Sequence, residues 1–156
     1  MQGKITAIVG PSGAGKTTAA QLIPRFFEYQ SGEITIGNKL VTDFPFVQLM
    51  SLVSFVFQDV YIFEQTIKEN IRMGNDELSD EDIVNAAKAA CAHEFILSLP
   101  EGYETIVDQG SLRGGQAQRI AIARAIAKDS PILILDEAQA YDDATKEVRI
   151  HRAHTQ

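Results

Sequence analysis

Residues 10–17 constrain the fold of this 156-residue chain more than any other segment. They read Gly-Pro-Ser-Gly-Ala-Gly-Lys-Thr, and they lie between an apolar run, Ile5–Val9, and a stretch of helical character. Glycines at this spacing let the backbone curl so that its N–H groups and the next helix N-terminus surround a phosphate chain. Lys16 then supplies a cation for the phosphates, and Thr17 supplies a hydroxyl ligand for Mg²⁺. The pattern predicts a nucleotide-phosphate site at a strand-to-helix turn.

The residues predicted to bind the nucleotide lie in this loop and in the first turn of the helix. They are Gly10, Ser12, Gly13, Ala14, Gly15, Lys16, Thr17 and Thr18. The alternative, a tight turn with an incidental lysine, is disfavoured because a strand pattern precedes the loop and a helix pattern follows it.

A second candidate site follows the apolar run Ile132–Leu135, which ends in Asp136 and Glu137. Ligands of parallel sheets lie at the C-terminal ends of the strands, where the glycine loop is also expected. Asp136 is therefore predicted to hold Mg²⁺, and Glu137 is predicted to orient or deprotonate an attacking water. A strand that merely runs into a polar turn is the alternative, and the upstream phosphate loop disfavours it.

Three apolar runs, Ile5–Val9, Leu52–Phe57 and Ile132–Leu135, are separated by helical patterns. This order predicts an α/β fold, a P-loop NTPase-like parallel sheet flanked by helices. No buried-strand pattern interrupts residues 64–112, so we predict a helical insertion there. The P-loop core is then expected to comprise residues 1–63 and 113–156.

The helical patterns agree with this organisation. One of them predicts a helix directly after the glycine loop. Ser79 is predicted to cap a helix that carries three acids in its first turn. The predicted helices are Lys16–Ile23, Thr66–Met73, the helix beginning after Ser79, and Gln116–Lys128.

Charge and hydropathy exclude several classes of function. Fourteen basic against twenty-one acidic residues give a net charge of −7, which argues against a nucleic-acid partner. The longest apolar runs are far shorter than the ~20 residues that span a bilayer, and the N-terminus has no signal-peptide pattern. A single cysteine, Cys91, allows no internal disulfide. We therefore expect a cytoplasmic chain with no transmembrane segment of its own.

Further motifs narrow the class of P-loop protein. The segment Leu112–Gln116 and the helix after it resemble the signature motif of ABC transporter ATPases, and Phe57–Asp59 resembles their Q-loop. Residues 63–71 are similar to the following segment of exporter-type members. The resemblance covers residues 3 to about 138, and it implies an ATP-binding subunit that hydrolyses MgATP to drive transport through a transmembrane partner.

The resemblance also implies roles for individual residues. Gln58 is expected to touch Mg²⁺ and the γ-phosphate, so the implied metal ligands are Thr17, Gln58 and Asp136. The signature segment is expected to cap ATP held by a second, head-to-tail subunit; its residues are Leu112, Arg113, Gly114, Gly115 and Gln116. Together with the transmembrane partner, this implies a location at the cytoplasmic face of a membrane.

The chain departs from the family pattern at several positions. Arg113 occupies the place of the signature serine, and residues 138–143 differ from the usual turn after the base. His151 and His154 have no apolar strand before them, so the family's switch-histidine strand is expected to be absent and the chain to be shortened at both ends. Two alternatives therefore stay open: a non-catalytic remnant, and a P-loop kinase of small molecules. The helix Gly114–Arg124 and the absence of an arginine-bearing lid disfavour the kinase.

Overall fold

The computed structural model describes residues 5–136. Glu137, residues 138–143, His151 and His154 lie outside the described residues. Within the described range the helices are Lys16–Leu22 (α1), Phe46–Leu52 (α2), Ile67–Arg72 (α3), Asp80–Ala89 (α4), His93–Leu97 (α5) and Gly114–Ala127 (α6). The strands are Thr35–Ile36 (β1), Lys39–Leu40 (β2), Val53–Val56 (β3), Gln65–Thr66 (β4), Ile106–Val107 (β5) and Ile132–Leu135 (β6).

Strands β3 and β6 form a two-stranded parallel sheet. Their register runs from Val53 opposite Ile132 to Val56 opposite Leu135. Their mainly β-branched and aromatic side chains suit a pleated surface with apolar neighbours on both faces. A parallel pair with helices packed on it confirms the predicted α/β class, and the bounds of these two strands agree with the sequence to within one residue.

The prediction of a buried strand at Ile5–Val9 was wrong for the described structure. The segment has no strand assignment, and 54% of Ile5 and 87% of Val9 are exposed. A strand is defined by backbone hydrogen bonds to a neighbour, and no strand between residues 5 and 136 pairs with this segment. Apolar composition predicts a need for burial, but it does not supply the pairing partner.

A helical layer packs over the β3–β6 pair and forms the largest core. Helix α6 contacts both α3 and α4, and it also lies against β3. Five isoleucines are fully buried in this layer: Ile67, Ile71, Ile83, Ile96 and Ile120. Truncating any one of them to alanine typically costs about 2–5 kcal/mol of stability. In α6, residues 120–123 and Ala125 are buried.

The antiparallel pair β4–β5 was not predicted from the sequence. Gln65 pairs with Val107 and Thr66 pairs with Ile106. Two-residue strands are too short to show an alternating pattern, which explains why the sequence did not predict them. Their pairing brings the two ends of residues 64–112 together, as expected of an insertion, although the division of the chain stays a prediction.

Local capping fixes where α4 begins. The Ser79 hydroxyl accepts from the Asp82 N–H, and the Ser79 N–H donates to the Asp82 carboxylate. The Ser79 hydroxyl also donates to that carboxylate and is the main cause that lowers the pKa of Asp82. The predicted cap at Ser79 is therefore confirmed, as a reciprocal capping box.

Candidate functional site

The phosphate loop, Gly10–Thr17, runs into the N-terminus of α1. Gly13 and Gly15 have φ angles of 78° and 82°, a left-handed conformation that costs other residues roughly 1–2 kcal/mol. The Ala14 N–H donates to the Pro11 carbonyl at 3.2 Å, which closes the turn. Residues 10–15 are all exposed, so a ligand can reach the backbone of this loop.

The side chain of Lys16 folds back over the mouth of this loop. Its ammonium donates to the carbonyl oxygens of Gly10, at 3.1 Å, and Pro11, at 2.9 Å. The cation therefore lies on the side of the loop where a phosphate chain is expected. Ser12 and Thr18 are exposed beside it.

The two predicted motifs meet at Thr17 and Asp136, which are 119 positions apart in sequence. The Thr17 hydroxyl donates to Asp136 Oδ1 at 2.8 Å. The Asp136 N–H donates to the Val56 carbonyl at 3.0 Å, which extends the β3–β6 ladder by one rung. This rung places the carboxylate at the C-terminal end of the parallel pair, where the strand pattern predicted it.

Gln58 lies at the same end of the sheet. It is exposed on a bend two residues after β3, and Asp136 follows β6 directly. Because the two strands are parallel and in register, both side chains start from one edge. Within residues 5–136 no hydrogen bond joins Gln58 to Thr17 or Asp136, so its role at the metal stays a prediction.

The signature segment, Leu112–Gln116, lies at the N-terminus of α6, where the Arg113 N–H donates to Gln116 Oε1 at 3.0 Å. Arg113, Gly114 and Gly115 are exposed, and Leu112 is half-buried. A Cβ added at either glycine would meet no atom within 4 Å. No described hydrogen bond connects this segment to the phosphate loop of the same chain.

The glycines of the signature segment have no explanation in the packing of this chain. Glycine destabilises a helix by about 1 kcal/mol relative to alanine. Neither Gly114 nor Gly115 has a positive φ, and alanine would fit at both positions. Bare N–H groups at a helix N-terminus suit an anion that comes from outside the chain.

The sequence did not predict a polar network that joins α3 to α6. Asn70 is fully buried, and Arg124 donates to its carbonyl oxygen and to its side-chain oxygen. Desolvation by burial lowers the pKa of Arg124. An asparagine beside Ile71 on an apolar helix face was the one feature that could have revealed this network, since buried amides need partners.

Comparison with known proteins settles the family. The family model described as ABC transporter matches residues 1–140. This chain belongs to the ABC transporter family. The resemblance to ABC transporter ATPases that the motifs showed is thereby confirmed.

The similar proteins are much longer than this chain. ABC transporter B family member 28 of Arabidopsis thaliana is 48% identical over 155 residues, which cover 97% of this chain and 22% of that protein. The ATP-dependent lipid A-core flippase of Legionella pneumophila is 48% identical over 153 residues, covering 97% and 26%. The structure of a bacterial Atm1-family ABC exporter with ATP bound matches with a TM-score of 0.89 and 39% identity, covering 99% and 28%. The chain thus spans about a quarter of the length of these relatives.

The oxygen donors at the site fit a small hard cation. Magnesium is typically held by one or two protein oxygens together with the phosphates of a nucleotide. Thr17 Oγ1 and Asp136 Oδ1 are such oxygens, and they are already in contact. Residues 5–136 hold no group of three His, Cys, Asp or Glu side chains that could bind a metal ion by themselves.

No helix between residues 5 and 136 has both the length and the apolar composition needed to cross a bilayer.

Proposed function

We propose that this chain is an ATP-binding subunit or domain of an exporter-type ABC transporter, and that it binds and hydrolyses MgATP to drive transport. The contact between Thr17 and Asp136 carries the proposal. It joins the phosphate loop to the acidic strand end, the two parts that nucleotide hydrolysis needs in one place.

Binding would use the loop as a preformed cradle. The N–H groups of the phosphate loop and the start of α1 present partial positive charge to the phosphates. The Lys16 ammonium, now on the Gly10 and Pro11 carbonyls, would turn to the β- and γ-phosphates. The ammonium would then bond charged phosphate oxygens instead of neutral carbonyl oxygens, and the stronger hydrogen bonds would favour the nucleotide-bound state.

Thr17, Asp136 and Gln58 would hold Mg²⁺ together with the phosphates. The cation, when bound, neutralises phosphate charge. The chain's own groups then orient the nucleotide, because Thr17 and Asp136 fix the position of α1 relative to the end of β6. ATP and Mg²⁺ are the only small ligands that the proposal requires.

Hydrolysis would need a base next to the γ-phosphate. Glu137 directly follows Asp136 in sequence, and we assign this role to it. Its carboxylate would take a proton from the attacking water while the water oxygen bonds to the γ-phosphorus. The bond from that phosphorus to the β–γ bridging oxygen would break, and ADP and phosphate would leave.

A second copy or a related subunit would complete the site. Arg113, Gly114 and Gly115 of the signature segment are exposed, and the two glycines suit an external anion. Two chains placed head to tail would bring each signature segment onto the other chain's nucleotide. Leu112, Arg113, Gly114, Gly115 and Gln116 would then cap the partner's γ-phosphate.

The transmembrane partner would dock on a groove beside Gln58. This groove has a volume of about 630 Å³ and lies between the segment after β3 and one face of α6. Exposed Tyr61, Phe63 and Met73 line it, together with Ala121. An apolar helical segment from the cytoplasmic side of a membrane domain fits this lining, and its docking would hold the chain at the cytoplasmic face of the membrane.

The function is tested by titrating the purified chain with MgATP and by measuring phosphate release. We expect binding, and we expect Glu137→Gln to reduce any turnover by at least about 100-fold while leaving affinity nearly unchanged, because an amide cannot accept the proton. Gln139→Glu, two positions further along, serves as a charge-changing control. Equal turnover in Glu137→Gln would exclude Glu137 as the base, and binding without turnover would support the non-catalytic alternative.

A separate prediction concerns Arg113. The guanidinium is longer and bulkier than the serine that the family has there, so it should hinder close approach to the partner's γ-phosphate. Arg113→Ser is therefore expected to raise the ATP-dependent dimerisation constant of the Glu137→Gln chain by about tenfold or more, which corresponds to about 1.4 kcal/mol. Sedimentation analysis with and without MgATP measures it.

The matched control for this experiment is Arg119→Ser, further along the same helix. Arg119 is exposed and donates to the Cys91 carbonyl on the helical layer, so its loss should leave dimerisation unchanged. Affinity of the monomer for ATP should be the same in all three chains. A dimerisation constant unaffected by Arg113→Ser would contradict the proposed place of this residue.

A further inference from the structure

One face of α6 lines the groove beside Gln58. Ala121, Arg124, Ala125 and Lys128 all border the groove, and their spacing of three and four positions puts them on the same side of the helix. The two alanines are small and buried, so the two long cationic side chains are the groups of this face that a ligand in the groove would meet.

Arg124 is held in place by neutral groups alone. Its guanidinium donates to the Asn70 carbonyl at 2.8 Å, to the Asn70 side-chain oxygen at 3.1 Å and to the Tyr61 carbonyl at 3.2 Å. Its Cζ atom lies 5.5 Å from the centroid of the Phe63 ring, within the range of a cation–π contact. No acidic side chain of residues 5–136 forms an ion pair with it, and burial lowers its pKa.

Lys128 follows the last residue of α6 and has the same kind of surroundings. Its ammonium donates to the Met50 carbonyl at 2.6 Å and to the Val53 carbonyl at 2.9 Å. In the described part of the chain it has no acidic partner either, and desolvation lowers its pKa. Charged hydrogen bonds are roughly twice as strong as neutral ones, so a carboxylate would be a better partner for both cations than these carbonyls are.

The other charged residues of the groove do not supply that carboxylate. Arg72 also lines the groove, but it forms ion pairs with Glu69, at 3.1 Å, and Asp80, at 3.0 Å. Asp59 is the one acid among the described lining residues, and it is exposed and forms no ion pair within residues 5–136. The described lining is therefore positive on balance, although the whole chain has a net charge of −7.

The apolar part of the lining is open to a partner. Tyr61, Phe63 and Met73 are exposed, and the rings of Tyr61 and Phe63 pack edge to face with centroids 4.9 Å apart. Grooves with exposed aromatic and methionine side chains typically receive the apolar face of an amphipathic helix. The cations on α6 add a polar requirement to that apolar surface.

We propose that this groove recognises a helical segment of the transmembrane partner by a carboxylate on the apolar face of that segment, which Arg124 and Lys128 bind. The inference rests on the proposed function and names the chemistry of its partner. Charge complementarity selects this occupant: a wholly apolar segment would desolvate the two cations further without pairing them, and a basic one would be repelled.

The experiment measures binding of three fluorescent helical peptides to the full chain by anisotropy at fixed ionic strength. The peptides have about 16 residues, are stapled on the polar face to keep them helical, and differ only in the residue at the centre of the apolar face, which is Glu, Gln or Lys. We expect the Glu peptide to bind at least about fivefold more tightly than the Gln peptide, and the Lys peptide to bind most weakly.

Three variants of the chain locate the effect. Lys128→Met keeps the aliphatic stem and removes the charge, so the preference for Glu over Gln should fall to about twofold, with Arg124 left in place. Lys88→Met, on exposed α4, makes the same change in net charge and should keep the full preference. Tyr61→Ser removes apolar surface and should weaken all three peptides by a similar factor, which leaves the preference unchanged.

Each other result overturns the inference. Equal affinities for the Glu and Gln peptides would do so, as would a preference that survives intact in Lys128→Met, or an absence of binding by all three peptides. Sedimentation that shows a peptide-free dimer, lost in Tyr61→Ser, would assign the groove to a second copy instead.

A titration of the same chains with MgATP separates this inference from the proposed function. Lys128→Met should bind MgATP as the unaltered chain does. Normal MgATP binding without discrimination among the peptides refutes the inference alone. Discrimination among the peptides without MgATP binding refutes the proposed ATPase and leaves the recognition of a carboxylate in the groove standing.

Discussion

Replacing Lys16 with alanine is expected to weaken MgATP binding by at least about 100-fold. The ammonium is the only side-chain cation that the described structure places over the phosphate loop, where it bonds the carbonyls of Gly10 and Pro11. A hydrogen bond to a charged group contributes about 1.5–3 kcal/mol, and two such bonds to phosphate exceed the roughly 2.7 kcal/mol that a factor of 100 represents.

The measurement is a calorimetric or fluorescence titration with MgATP at fixed ionic strength. Lys88→Ala is the matched control, because Lys88 is exposed on α4, away from the loop, and its removal changes the net charge by the same amount. The thermal midpoint should be almost unchanged in both variants, since the Lys16 bonds are made to exposed carbonyls. Equal affinities of the two variants for MgATP would refute the assignment of the phosphate loop.

The parts of the site that the sequence predicted are those that local spacing or strand order determines. The phosphate loop is one continuous segment, so its chemistry is visible in eight residues. Asp136 was placed correctly because the C-terminal ends of parallel strands share an edge, and its contact with Thr17 follows from that rule. The helix N-terminus at Gly114 was likewise evident from its glycines, and the structure moves its start by two residues at most.

The parts that the sequence did not predict depend on contacts between distant segments. Ile5–Val9 has the composition of a buried strand, but only a neighbouring strand could make it one, and composition does not name that neighbour. The Gln109 amide bonds the Val60 carbonyl and the Ile62 N–H. Gln109 lies in a turn rich in small and polar residues, and nothing in their spacing predicts these long-range hydrogen bonds. Asn70 is different, because a polar residue on the apolar face of a helix indicates a buried partner even before the partner is known.

Asn70→Leu is expected to lower the free energy of unfolding by about 3–5 kcal/mol, a large part of the 5–15 kcal/mol typical of a domain. Leucine has a similar volume but no polar atom. It would leave the Phe63 N–H and carbonyl without their bonds, together with the Thr66 carbonyl that Asn70 holds at 3.1 Å. The Arg124 guanidinium would also lose its 3.1 Å bond to the amide oxygen, although its charge would stay in the same partly buried place.

Urea unfolding measures this loss as a fall of more than about 1 M in the midpoint, given slopes of about 1–3 kcal/mol per molar for small proteins. Asn85→Leu is the control, because Asn85 is exposed on α4 and its substitution should stay within about 0.5 kcal/mol. Asn70→Asp keeps the acceptor for Phe63 and Arg124 but loses the donors, so its midpoint should lie between those of the other two. If Asn70→Leu unfolds at the same urea concentration as Asn85→Leu, the bonds of the Asn70 amide to the Phe63 backbone do not stabilise the fold.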